Sequence, residues 1–466
     1  MLYDPRHHDA TSLFVLQPSR EVRLAVSNVF YREPLHRYPS IQRAEGVYLY
    51  DRDGRRYLDG SGGAAVSAVG HSHPAVIAAI RAQLESCAYA HTAFFTNEPQ
   101  ETLARLLAAR FPDPSARVYF VSGGSEANET AIKLARQYWM ARGQDRKQLF
   151  VSRQQSYHGN TLGALSLSGN PGRQQLYGPL LKDWPKVLPC YEYRHRQAGE
   201  SAEEYGRRAA ESLLDAIRTH GAENIAAFVA ETIVGATLGA VPAVSGYFRV
   251  IRDICAQHDI LLILDEVMAG CGRSGTYFAF EQEGAVPDIV TLAKGIAGGY
   301  QPLGAAIARA AIHERIVERF GYFAHGHTYV GHATACAAGV AVASVVEQEH
   351  LLDNVQRMGA MLRSQLASSF CDHPHVGDIR GRGLFIGIEL VIDRETKAPP
   401  PAALGLPARL RDKAMAEGLI CYPGGGSANG RDGAHILLAP PFIYSEDNVV
   451  ELVTRLGRVL QGLELG

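Results

Sequence analysis

The run Leu261-Leu262-Ile263-Leu264-Asp265-Glu266-Val267 constrains this chain more than any other feature. Apolar residues in unbroken succession read as a parallel strand buried on both faces. The two carboxylates stand at its C-terminal end, where such sheets carry their chemistry. A strand of that kind needs helices on both sides, which makes the fold α/β. The segment Asp288-Ile289-Val290-Thr291-Leu292-Ala293-Lys294-Gly295 reads as a second short strand that delivers one lysine among small residues, with Ala297, Gly298 and Gly299 following. A lysine with small uncharged neighbours has lost part of its hydration. That favours the neutral amine, a nucleophile toward carbonyl carbon. Taken singly, the two fragments also describe a core strand ended by a solvated acidic pair and a surface lysine before a glycine-rich turn. Together, in this order, they point to a reactive site.

The rest of the chain alternates between the same two kinds of pattern. Strands are expected at 117–121, 225–231 and 386–390, and helices at 75–88, 101–110, 126–142, 246–258 and 333–346. Residues 197–208 are polar and read as an exposed helix start or an insertion, and 398–403, rich in proline, as a loop. This alternation predicts a mainly parallel sheet with right-handed crossovers, in two domains or one large unit for 466 residues. With 46 Lys+Arg against 48 Asp+Glu, no nucleic-acid partner is implied. Seven scattered cysteines without a C-x-x-C pair argue against a disulfide framework or a zinc ribbon and suit a reducing compartment. No metal is expected. Met1 to His8 do not read as a signal peptide and no apolar run approaches membrane length, so a cytoplasmic protein without membrane contact is expected.

Ser122-Gly123-Gly124-Ser125-Glu126-Ala127-Asn128 puts small residues where a strand gives way to a helix. Free backbone N–H groups and the positive helix end favour a phosphate there, and Ser125 adds a hydroxyl; a serine cap with turn glycines is the plainer alternative. The G-x-G-x-x-G fingerprint is absent, which removes a Rossmann oxidoreductase, and so is the lysine of a P-loop. Tyr157, in Ser156-Tyr157-His158-Gly159-Asn160, offers a ring to stack on a flat heterocycle. Thr328, in a glycine-flanked turn before the alanine-rich helix, offers a further hydroxyl, and Arg380 and Arg382 offer bidentate grips on a carboxylate. An acid at 265 holding a pyridinium nitrogen protonated, with an amine at 294, amounts to pyridoxal 5'-phosphate chemistry.

Taken together these motifs resemble the class III (ω-) aminotransferases, pyridoxal-phosphate enzymes of fold type I. The likeness runs from Val47-Tyr48-Leu49-Tyr50-Asp51 and Gly70-His71-Ser72-His73-Pro74 to Leu437-Leu438-Ala439-Pro440-Pro441-Phe442. It implies that Lys294 carries the cofactor covalently and then shuttles a proton, and that Asp265 bonds the ring nitrogen. It further implies that Val267 and Tyr157 cover the two ring faces, and that Gly123, Gly124 and Ser125 cup the phosphate. His158 and Glu231 join the cofactor site. Glu231 stands before Thr232, where the family has proline. Thr328 is implied to reach the phosphate of a neighbouring subunit, Phe94 and Phe95 to line the partner's substrate entrance, and Arg380 to bind a substrate carboxylate. A homodimer with shared sites, or a tetramer of such dimers, follows.

The implied architecture is a large domain with a mainly parallel sheet flanked by helices (66–335), and a smaller α+β domain drawn from both chain ends (1–65 and 336–466). The implied activity is a ping-pong transamination from an ω-amino acid or amine to a keto acid, with pyruvate first among acceptors. The small residues Gly62 to Val66 occupy a region where some members carry a bulky aromatic. An aminomutase of the glutamate-1-semialdehyde type is the alternative, and a non-catalytic regulatory protein a remoter one that the intact Lys294 and Asp265 argue against.

Overall fold

The computed structural model describes residues 27–465, so the reading of Met1 to His8 lies outside the described residues. Its centre is a seven-stranded sheet in the order Arg117–Val121, Gly304–Ala308, Ile289–Leu292, Leu261–Asp265, Ile225–Glu231, Leu149–Arg153, Lys186–Val187. The last five in this order run parallel, and Gly304–Ala308 is antiparallel to both of its neighbours. The central strands are buried throughout, and their side chains divide between two faces. Leu261, Ile263, Val229 and Ala306 join Ala131, Leu134 and Trp139 of the helix Gly124–Ala141. Leu262, Leu264, Phe228 and Ile307 face the other way, into the cluster with Leu213 of Ala202–His220 and Ile251 of Tyr247–Gln257. Period-two side chains sandwiched between helices are why these strands carry no polar alternation.

Several expectations shift in detail. The polar stretch at 197–208 leads into the helix Ala202–His220, opened by a capping box in which Ser201 and Glu204 satisfy each other's backbone N–H, with Tyr205, Ala209, Leu213 and Ile217 buried. The helix expected at 101–110 begins earlier, at Glu98, because Asn97 accepts from the Gln100 N–H and Pro99 tolerates the first turn.

Strands from early and late in the described residues meet. Ile41–Glu45, Tyr48–Asp51 and Arg56–Asp59 form an antiparallel meander whose last strand pairs in parallel with Leu419–Ile420, Leu58 opposite Leu419. A second four-stranded antiparallel sheet follows the order Val376–Arg382, Phe385–Leu390, Ala434–Leu438, Tyr422–Gly425. Among the described residues no helix is long and apolar enough to cross a membrane.

Candidate active site

Three parallel strands end in register. Glu231, Asp265 and Thr291 are cross-strand partners, so three polar side chains stand in a row at the C-terminal edge of the sheet. Asp265 is buried and holds three donors: the Asn128 amide at 2.9 Å, the His158 Nδ1–H at 2.8 Å and the Val267 backbone N–H at 3.0 Å. Because a carboxylate only accepts, His158 must carry its proton on Nδ1. Asn128 is itself held by the Thr291 hydroxyl, which donates to its Oδ1 at 3.1 Å, and it donates to the His158 carbonyl at 2.6 Å. Glu231 accepts from the backbone N–H groups of Tyr157 and Gly235, at 2.9 and 3.0 Å. Its carboxyl is raised above the ordinary range by burial, with Asp265 adding repulsion. Thr232 does what the proline of the likeness cannot: its hydroxyl donates to Glu266 at 2.6 Å and its N–H to the Asp265 carbonyl at 3.3 Å. Glu266, which also accepts from the Ala279 and Phe280 N–H groups, is pushed up to about 7 by burial.

Lys294 opens a short 3-10 turn just past Ile289–Leu292 with φ of 52°, left-handed backbone that is costly for a residue with a Cβ. Half-buried, its ammonium is pushed down to about 8, by desolvation against the pull of Asp265 and Glu231. It lines a cavity of about 500 Å³ together with Asp265, Glu231, Tyr157, His158 and Ser125. Gly124 and Val267 belong to the same wall; a Cβ on Gly124 would lie 2.7 Å from a Val267 methyl. Gly123 caps the helix Gly124–Ala141, whose first N–H groups lack acceptors within the helix and point a positive dipole end at the cavity wall. Ser125 Oγ accepts from the Asn160 N–H at 3.0 Å.

The remaining predicted residues are elsewhere. Thr328, Phe94 and Phe95 do not line this chain's own cavity. Phe94 and Phe95 are 80% and 67% exposed, and their segment is tied to Thr328 by the Tyr89 hydroxyl, which donates to the Thr328 carbonyl at 2.9 Å. Arg380 is also absent from the lining of this cavity. Its guanidinium is buried away from the cavity and spent on Asp378 at 3.1 Å, Glu389 at 2.7 Å and the carbonyls of Leu238 and Gly239. Arg173 and Tyr422 are among the cavity residues without a role in the sequence reading, as are Arg32, Ile233, Ala236 and Met268. Neither Arg173 nor Tyr422 sits in a motif, since the strand that carries Tyr422 and the turn that carries Arg173 are brought together only by the fold.

These residues fit pyridoxal phosphate. A half-buried amine, a buried carboxylate with lone pairs to spare, an aromatic beside the pair and a helix start stripped of side chains share one cavity, and the buried Nε2 of His158 has no partner among the described residues. Fold and site together define a pyridoxal-phosphate enzyme of fold type I. The class III aminotransferase family profile matches residues 31–460, and the chain belongs to that family. It is 44% identical to an uncharacterized aminotransferase of Schizosaccharomyces pombe over 436 residues, 93% of this chain and 94% of the relative. Two solved structures align with TM-score 0.85 and 36% identity, over 91% of this chain and 92% of theirs. One is a thermostable (S)-enantioselective omega-transaminase from Thermomicrobium roseum, the other the omega transaminase of Pseudomonas jessenii in complex with PMP. The protein is therefore an aminotransferase dependent on pyridoxal phosphate.

Proposed function

We propose that the enzyme moves an amino group from an ω-amino acid or simple amine to a keto acid, pyruvate first among them, in two successive half-reactions. The observation that carries this reading is the meeting of Lys294, its ammonium pushed down to about 8, with the triply bonded Asp265 in one cavity. When bound, the cofactor supplies an electron sink for the pair left behind at the substrate carbon. Lys294 would hold the cofactor and, as a free amine, would take the proton from the substrate Cα and return it in the second half of the exchange. Asp265 would accept from the ring nitrogen of the cofactor and keep it protonated, while Asn128 and His158 keep the carboxylate from turning away. Val267 and Tyr157 would bracket the ring, Glu231 orders the Tyr157 backbone, and Gly123, Gly124 and Ser125 would receive the phosphate.

The same reading assigns Thr328, Phe94 and Phe95 of the partner subunit to complete each site, in a homodimer. Their exposure on the isolated chain supports this. Seven free thiols support a cytoplasmic setting, and the sheet joining both chain ends supports a small domain built from 1–65 and 336–466. The test is a visible spectrum of the purified holoenzyme titrated with a panel of amines. The yellow band should bleach with a donor and return with pyruvate, one keto acid consumed per amine oxidised. No band after incubation with pyridoxal phosphate, or amino transfer without keto-acid consumption, overturns the reading; the latter outcome identifies a mutase.

A further inference from the structure

Arg173 stands on the one-turn helix Pro171–Gln174, anchored by Asn170, whose side chain accepts from the Arg173 N–H at 3.1 Å. Its guanidinium lies over the Tyr157 ring, 4.4 Å from the centroid. It lines the Lys294 cavity and also a second cavity of about 440 Å³, which shares Arg173, Ala236 and Tyr422 with the first and continues along the glycine-rich segment after Tyr422 to Arg431. No carboxylate lines the second cavity. In the first, Asp265 and Glu231 each have partners of their own. Among the described residues the Arg173 guanidinium makes no hydrogen bond or ion pair, in contrast to Arg380, whose donors are taken by Glu389, Asp378 and two carbonyls. An exposed guanidinium held at the threshold between two cavities by its own backbone and an aromatic face is ready for an anion from solution.

We propose that Arg173 is the residue that selects carboxylate-bearing substrates, receiving the far-end carboxylate of an ω-amino acid while its amine reaches Lys294. The proposal rests on the transaminase reading. Charge supports it: the positive field of Arg173 reaches Lys294 and Tyr157, and both feel it. A carboxylate arriving between the two cavities meets the one cation of the shared wall.

The test uses the holoenzyme and a matched pair of donors, 5-aminopentanoate and pentylamine, which differ only in the carboxylate. The rates of cofactor bleaching per unit donor concentration give a preference ratio for the wild type, Arg173→Gln and Arg173→Lys. In Arg173→Gln the preference for 5-aminopentanoate should fall by about 10- to 100-fold, the worth of one charge-assisted bidentate contact, and Arg173→Lys should keep part of it. Calorimetric binding of pentanoate, which carries no amine, should weaken by a similar factor. If both donors slow in step, Arg173 only props Tyr157 and the proposal falls; unchanged pentanoate affinity also overturns it. Should the wild type bleach with neither donor, the proposed ω-amino acid or amine donor class fails, and pentanoate binding still decides the assignment of Arg173.

Discussion

Lys294 shows how far the surroundings of one side chain reset its chemistry. An ordinary lysine titrates near 10.4, while here burial among small residues brings the ammonium down to about 8. Between those two values the unfolded chain binds more protons than the folded one, so the cofactor-free protein should gain stability as pH rises from about 8 to about 10.4, by on the order of 2–3 kcal/mol. Below about pH 8 this contribution is flat. Melting curves of cofactor-free wild type and Lys294→Met across that window check it: the rise should vanish in the variant, which also captures no pyridoxal phosphate in a borohydride-stable form. Asp265→Asn keeps the size of the side chain and removes the charge proposed to hold the ring nitrogen protonated, so kcat should drop by at least about 100-fold, read in steady-state turnover. Arg380→Gln should act on the fold instead. Glu389 loses one of two cations and keeps Arg194 at 2.7 Å, and stability should fall by about 1.5–3 kcal/mol, measured by thermal melting of the holoenzyme.

At the scale of elements, the cavity floor depends on two close approaches. Gly159, with φ of 139°, lets the loop after Tyr157 pass so near the start of Gly124–Ala141 that an added Cβ would sit 2.6 Å from Ser125 Oγ and 2.9 Å from Ser125 Cα. Gly159→Ala should therefore push the helix start away from the phosphate and weaken pyridoxal phosphate retention about tenfold, read by equilibrium dialysis, with the far-ultraviolet spectrum unchanged. What could be read from the chain beforehand follows the range of the interactions. The strand Leu261–Asp265, the lysine after Ile289–Leu292 and the Ser122–Ser125 turn are short-range patterns whose chemistry is written in adjacent residues. The partners of Arg380, Leu238 and Gly239, lie 142 and 141 positions away in sequence, so nothing adjacent to it announces them. Asn128 lay inside a quoted motif and still went without a role, since its contact with Asp265 spans 137 positions. Periodicity shows where a strand lies; it does not show which strand end a side chain 137 positions away will meet.

At the scale of the whole molecule, Tyr89, Phe94, Phe95 and Tyr329 form an exposed aromatic surface in the segments read as shared between subunits, and Tyr89 and Tyr329 pack edge to face at 5.8 Å. Phe94→Glu combined with Phe95→Glu should split the proposed dimer, seen as a halved mass in sedimentation, and turnover should fall with it. The order of the central sheet carries a different consequence. Arg117–Val121 has a single neighbour in that sheet, Gly304–Ala308, and Arg56–Asp59 waits for Leu419–Ile420. On the ribosome, the edge of the strand that leads into the Ser122–Ser125 turn therefore stays bare until residue 308 has left the exit tunnel, and the first meander cannot gain its parallel partner until nearly the whole chain is made. A nascent chain of this enzyme should accordingly depend on chaperone holding during the second half of its synthesis, and messages truncated before residue 308 should yield product that aggregates rather than a stable fragment.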